Sequence, residues 1–496
     1  MSQIKKLAGQ TAVYGLSSIV GRLLNYLLVP IYTRIFSPAE YGVVSEYYAY
    51  VTFLLILFTF GMETAFFHFS SKTGDKDKVF GNGLSALLIS SSILSGLLIL
   101  FSQTIANWLH YPNHPEYIIW FALILAFDGL TALPFARLRQ LGKPKMFAGL
   151  KMLNIFLNIG FNVLFLLVLP ELAKHHPGSW LLFCYKPSIG VGYVFLANLI
   201  SSTITLILLL PNFRKIKLPL DKELLKAMLI YAFPILIAGF AGMINETLDR
   251  AILKYLVTDK TTAMQQLGIY SACYKLSILM TLFVQTFRYA SEPFFFAQQH
   301  KENSKQLFAN VMNYFVLICS IIFLGVMLYI DVVKVFIGPK FYEGLNVVPI
   351  LLIANLCLGV YLNLSLWYKL TGQTKYGAWF SIYGAIITIV FNFWLIPKMG
   401  YTGAAWATLI CYASMMILSY RIGQTIFPVP YELKKLSLFI GSALFVWALS
   451  IVIRKFIPET PIYHYSINTL LFLIYSGIMW KILKGHKKSA IPFNVS

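Results

Sequence analysis

Acidic side chains are scarce in this chain: 19 Asp and Glu stand against 40 Lys and Arg, and only 12% of the 496 residues are charged. A water-soluble domain carries about 25% charged residues, so this chain cannot cover itself against water. The surplus of cations, +21 in total, contains no basic tail and no groove-sized basic run. It is dispersed through short connections between apolar blocks, which excludes nucleic acid as the partner. Cysteine is sparse too. Cys184, Cys273, Cys319, Cys357 and Cys411 are widely separated, with no CxxC or Cys/His spacing, so they read as small hydrophobes and not as a disulfide framework or metal site. His175 and His176 follow Lys174 without further ligands nearby, so no metal is expected. No phosphate-binding glycine loop is present, and no cofactor is expected. Every connection is short, which leaves no room for a soluble catalytic domain and weighs against an enzyme.

What the chain has is apolar sequence. Hydrophobic residues make up 58% and come in blocks of roughly 20, the length that crosses a ~30 Å hydrocarbon core. Fourteen spans are predicted, at 8–31, 43–69, 80–103, 117–137, 147–170, 188–211, 227–253, 267–290, 306–329, 344–368, 376–396, 402–421, 436–456 and 464–482. Lys5 and Lys6 precede the first. It is too long for a signal peptide and lacks a small-residue cleavage site, so it reads as an uncleaved span. With the N-terminus in the cytoplasm, alternate connections carry about 25 Lys and Arg inside against about 10 outside. Both termini are then cytoplasmic.

The chain also repeats itself. EYGVVSEYYAY at 40–50 matches QLGIYSACYKL at 266–276, and LGKPK at 141–145 matches TGQTK at 371–375. Twenty residues after each glycine of the second pair stand Phe161-Asn162 and Phe391-Asn392. GVGYVFLANLI from Gly190 matches GYTGAAWATLI from Gly400. Six spans separate the copies, so both keep the same orientation, which predicts parallel repeats about an axis along the membrane normal. The expected architecture is all-α integral membrane: a six-helix bundle over 1–211, a cytoplasmic linker over 212–226, a second six-helix bundle over 227–425, and two extra helices with a tail over 426–496.

Charges within the spans are the strongest functional signal, because a charge at bilayer depth costs several kcal/mol. Arg22 lies in span 1, Glu46 and Glu63 in span 2, Asp128 in span 4 and Lys151 near the start of span 5. Span 7 carries Asn245, Glu246, Asp249 and Arg250, and span 8 carries Lys275, Arg288 and Glu292. Glu246 and Arg250, four apart, share a helix face. Arg22, Arg250, Lys275 and Arg288 are the candidates for an anion-attracting cavity, since Arg donates to phosphate through a planar fork and Lys acts as a point charge. Glu46, Glu63, Glu246 and Asp249 are the candidates for ion coupling. The competing reading of the same charges is structural ion pairs between helices. Tyr47, Tyr48, Tyr50, Tyr270 and Tyr274 suit either helix packing or sugar stacking. Pro30, Pro134, Pro234 and Pro293 are possible kinks.

The run Arg34-Ile35-Phe36-Ser37-Pro38-Ala39-Glu40-Tyr41-Gly42 resembles a signature of the polysaccharide transporter (oligosaccharide flippase, Wzx-type) family of the multidrug/oligosaccharidyl-lipid/polysaccharide exporter superfamily. So do Asp249-Arg250-x-Ile252-Leu253 followed by Gly268-x-Tyr270. The stretch from Phe391-Asn392 through Ile396-Pro397 to Gly403-Ala404-Ala405-x-Ala407-Thr408 resembles it as well. The resemblance implies a flippase in the bacterial inner membrane. Its cargo would be an undecaprenyl-pyrophosphate-linked oligosaccharide, the repeat unit of an O-antigen, capsule or exopolysaccharide, moved by alternating access without nucleotide hydrolysis. It implies that cationic cavity residues, here Arg22, Arg250 and Lys275, hold the pyrophosphate. Its partners would be membrane lipid and the polymerase and export machinery for polysaccharide. Two other readings compete: a multidrug cation antiporter of the same superfamily, disfavoured by Arg22 and Lys275, and a membrane polysaccharide polymerase or ligase, which calls for a large external loop.

Overall fold

The computed structural model describes residues 20–212 with the exception of Arg22, then 220–298, 303–456 and 460–485. The described residues contain helices and turns and no strand. Among the described residues, twelve helices are long and apolar enough to cross a membrane, and a bent pair, taken as one span, makes a thirteenth. Each coincides with one predicted span. The remaining expected span, 8–31, falls mostly outside the described residues.

The chain divides into two compact units, Met1–Lys254 and Tyr255–Ser496. In the first, α1 (Leu28–Ile35) leads into α2 (Pro38–Thr59) and α3 (Met62–Lys72). Then come α4 (Lys76–Leu100), α5 (Pro115–Gln140) and α6 (Pro144–Val163). After α6 follow a π turn at Leu164–Val168, α7 (Leu169–His175), α8 (Gly192–Leu209) and α9 (Lys222–Leu256).

The start of α2 explains the Arg34–Gly42 run physically. Ser37 caps the helix, accepting from the Glu40 N–H, while the Glu40 carboxylate accepts from the Ser37 N–H at 2.8 Å; Pro38 occupies the first turn. This reciprocal box satisfies two backbone donors that the helix end would otherwise leave open. Span 2 breaks at Phe60 and Gly61, both at positive φ (29° and 67°). Gly61 faces Ile235 and the Ala232 carbonyl of α9, beside Pro234. In α7, Pro170 has no N–H to give to Leu166, and the π turn lies directly before it. Asp221 starts α9: its carboxylate accepts from the Leu224 N–H, and its backbone exchanges hydrogen bonds with the Asn82 side chain.

In the second unit, α10 (Ala263–Leu276) and α11 (Ile278–Gln298) form the bent pair, at 52°. They are followed by α12 (Ser304–Leu328), α13 (Val348–Leu364), α14 (Leu366–Leu370), α15 (Lys375–Met399), α16 (Tyr401–Ile426), α17 (Leu433–Arg454) and α18 (Pro461–Gly485). Its core gathers Tyr361, Trp367, Tyr368, Phe380 and Tyr412.

The repeated landmarks adopt matching conformations. Gly142 and Gly372 both turn at positive φ, 64° and 72°. Gly190 and Gly400 share a second unusual geometry, φ 52° with ψ −124° and φ 56° with ψ −139°. Side chains are strained there, which is why glycine marks both copies. Asn162 and Asn392 are both buried, and each donates to the carbonyl four residues earlier.

Outward surfaces confirm the solvent. Ile89, Ile93, Leu97 and Leu100 form an exposed stripe on α4, and Ile382, Ile386, Val390 and Phe393 form another on α15. Apolar stripes of this length are a liability in water and the ordinary surface of a helix in lipid. The protein crosses the membrane many times.

Candidate functional site

The first unit contains a cavity of about 590 Å³. Its polar wall comes from Glu63 of α3, Asp128 and Arg139 of α5, Lys151 and Asn154 of α6, and Thr205 of α8. Helical spacing brings them together: Asp128, Thr131, Phe135 and Arg139 recur every three to four residues on α5. Arg139 reaches back from the end of its helix to pair with Glu63, and its guanidinium lies 5.2 Å from the Phe67 ring centre. Asp128 accepts from the Ser202 hydroxyl at 2.8 Å. Lys151 lays its ammonium 4.1 Å from the centre of the Phe135 ring. Asn154 donates to the Thr205 hydroxyl at 2.9 Å. Met62, Phe66, Phe80, Leu133, Phe147 and Met228 belong to one apolar cluster, and Phe147 also lines the cavity.

Near the other end of the same helices, around residues 109–111, sits a second charged cluster. Glu46, fully buried, pairs with Lys254 at 2.5 Å. Both carboxylate oxygens also accept from hydroxyls, Tyr50 and Tyr111, each at 2.7 Å. Lys254 gives a further hydrogen bond to the Leu109 carbonyl at 2.9 Å. Tyr50 also reaches the Ala251 carbonyl at 3.3 Å. This clasp ties α2, the 101–114 connection and the end of α9 together.

The sequence candidates are distributed as follows. Glu63 lines the cavity and Glu46 sits in the clasp. On α9, Asp249 is buried, and Arg250 approaches its carboxylate at 3.3 Å while donating to the Glu246 backbone carbonyl. Lys275 is half-buried in the last turn of α10. Arg288 is exposed on α11, 5.8 Å from the Tyr289 ring centre; Glu292, one turn on, pairs with Lys369. Arg22 lies outside the described residues. Of the tyrosines, Tyr50 joins the clasp, Tyr47 stacks on Phe121 at 5.2 Å, Tyr48 accepts from Asn198, and Tyr270 is fully buried. Pro134 and Pro234 lie inside helices.

Sequence reasoning missed two contributors. Lys254 lies one residue beyond the expected end of span 7, and Arg139 counts as a loop cation by position. The available signal was spacing: Lys254 falls four residues after Arg250, and Arg139 eleven after Asp128, both on faces already carrying charge. No group of three or more His, Cys, Asp or Glu among the described residues could hold a metal.

A family model described as polysaccharide biosynthesis protein matches residues 7–297. No curated protein matches the chain in sequence. Among solved structures, the lipid II flippase MurJ in an inward closed conformation superposes with a TM-score of 0.73 at 14% identity, over 95% of this chain and 99% of that one. An inward-facing multidrug resistance MATE family transporter of the MOP superfamily gives 0.64 at 14% identity, over 82% and 94%. A MATE structure in complex with MaD3S gives 0.60 at 13%, over 85% and 95%. At such identities the likeness is one of fold. With the sequence match spanning more than half its length, the chain belongs to the polysaccharide biosynthesis protein family.

Proposed function

We propose that the protein is a flippase for an undecaprenyl-pyrophosphate-linked oligosaccharide, the repeat unit of an O-antigen, capsule or exopolysaccharide. It carries this cargo across the bacterial inner membrane, both of its termini cytoplasmic, by alternating access and without catalysis. One observation carries the reading: in a family of polysaccharide biosynthesis, four ionisable side chains line a cavity built by helices long and apolar enough to cross a membrane. A polar head group crosses hydrocarbon only if water, hydroxyls and opposite charge replace the lipid around it. The fold shared with a protein named a lipid II flippase supports a lipid-linked saccharide as cargo.

In this reading Arg22, Arg250, Lys275 and Arg288 attract the pyrophosphate. Of the coupling candidates, Glu63 and Asp249 are the stronger. Glu63 faces the cavity, and Asp249 holds a cation that the cargo competes for. Glu46 is bonded to Lys254, Tyr50 and Tyr111 in the buried clasp and in this reading serves structure instead.

The test is transfer of labelled undecaprenyl-pyrophosphate-linked oligosaccharide between leaflets of proteoliposomes. Wild-type protein accelerates transfer, and Arg250→Gln slows it at least tenfold. Transfer no faster than in empty vesicles refutes the proposal. Drug resistance lost on deletion of the gene would favour a cation antiporter in its place.

A further inference from the structure

Within the cavity of the first unit the four charges are not equivalent. Glu63 and Arg139 satisfy one another directly. Asp128 and Lys151 do not: Asp128 receives one hydroxyl, from Ser202, and Lys151 rests on the Phe135 ring and forms no ion pair among the described residues. Among the described residues no ion pair or hydrogen bond joins the two directly. Opposite charges held apart in a low-dielectric setting bear desolvation without the contact that offsets it. A ligand with an anion at one end and hydroxyls at the other would satisfy both. Asn154, whose amide N–H is committed to Thr205, keeps its carbonyl oxygen as an acceptor on the same wall.

We propose that this cavity is a subsite for a phosphorylated sugar, with the phosphate on Lys151 and the ring hydroxyls on Asp128 and Asn154. The inference rests on the reading of the cargo as a lipid-linked pyrophosphate saccharide, and assigns the cavity to the sugar nearest the lipid. Its size agrees. At about 590 Å³ it falls within the roughly 300–1,000 Å³ of pockets that take one small molecule. One phosphorylated ring fits that volume. Lys151 acts on the phosphate as a point charge and Asp128 as a hydroxyl acceptor, so the two substitutions should have different signatures.

Calorimetry on the full chain in detergent, with N-acetylglucosamine 1-phosphate, N-acetylglucosamine and inorganic phosphate as probes, tests this. The sugar phosphate should bind at least tenfold more tightly than either fragment. Lys151→Gln should weaken sugar phosphate and inorganic phosphate alike, tenfold or more, and Lys151→Arg should restore both. Asp128→Asn should weaken the preference for sugar phosphate without weakening inorganic phosphate. Thermal melting of each variant identifies any that fail to fold, and Asn154→Ala then supplies a milder loss of the same preference.

A sugar phosphate bound no more tightly than phosphate, or a Lys151→Gln protein that binds as wild type, overturns the subsite. Vesicle transfer of the lipid-linked saccharide is measured in parallel. Transfer without sugar-phosphate binding sinks the subsite and leaves the flippase standing. Binding without transfer of any lipid-linked saccharide sinks the flippase and assigns the cavity to a free sugar phosphate, which overturns the lipid-linked form of this inference.

Discussion

Removing one member of the Glu46–Lys254 clasp should destabilise the first unit severely. Lys254→Met leaves the Glu46 carboxylate, fully buried, with two tyrosine hydroxyls and no cation. Breaking a buried pair from one side costs about 3–5 kcal/mol, because the remaining charge stays desolvated. Replacing both members with apolar residues of similar volume is often neutral or stabilising by about 1–4 kcal/mol. Glu46→Leu combined with Lys254→Met should therefore recover most of what either single change loses. Tyr111→Phe deletes one hydrogen bond to a charged acceptor and should cost about 1.5–3 kcal/mol. Melting followed by tryptophan fluorescence in detergent reads these differences. At roughly 2–4 °C per kcal/mol for a unit of this size, the single variants should fall by on the order of 10 °C. If Lys254→Met melts with the wild type, or the double variant melts no higher than the singles, the clasp does not hold the helices as described.

Two further outcomes follow from the ends of helices. Ser37→Ala removes the hydroxyl half of the cap on α2 and should cost about 1 kcal/mol, read as a lower melting temperature with transfer activity retained in the surviving protein. At the start of α9, the Lys78 ammonium, 2.8 Å away, holds the Asp221 carboxyl below its usual value of 3.8. A depressed carboxyl pKa contributes stability above the unfolded value and loses it as pH falls through the folded one. Asp221→Asn should therefore melt below wild type at pH 6, with the gap closing below about pH 4; a gap that stays constant down to pH 3 would count against the pairing.

The spans were legible because each is a block of apolar sequence whose length the bilayer dictates. The repeat was legible because backbone geometry demands particular residues: only glycine sits easily at the Gly142, Gly372, Gly190 and Gly400 turns. The Ser37–Glu40 run was legible for the same reason, as a helix start written into four consecutive residues. The charged clusters were visible only in part. Glu46 and Lys254 stand 208 positions apart, and no local rule connects them. Arg139 reads as a loop cation until its side chain is seen to run back along α5 to Glu63. Tyr47 and Tyr48 read from the sequence as packing or sugar-stacking residues, and Phe121 and Phe195, whose rings pack against them, come from other helices that no local rule brings together.

The widened turn at Leu164–Val168 places one surplus residue in the middle of a crossing. Each residue advances a helix by about 100°, so everything beyond the bulge is rotated by that amount from where an uninterrupted helix would put it. Asn162, bonded to Tyr32, stands before that step, and Leu169, buried in the protein, stands after it. Excising a single residue there would swing one of these two neighbourhoods out of alignment while leaving composition and hydropathy almost untouched, so the length of this segment is under tighter constraint than its chemistry.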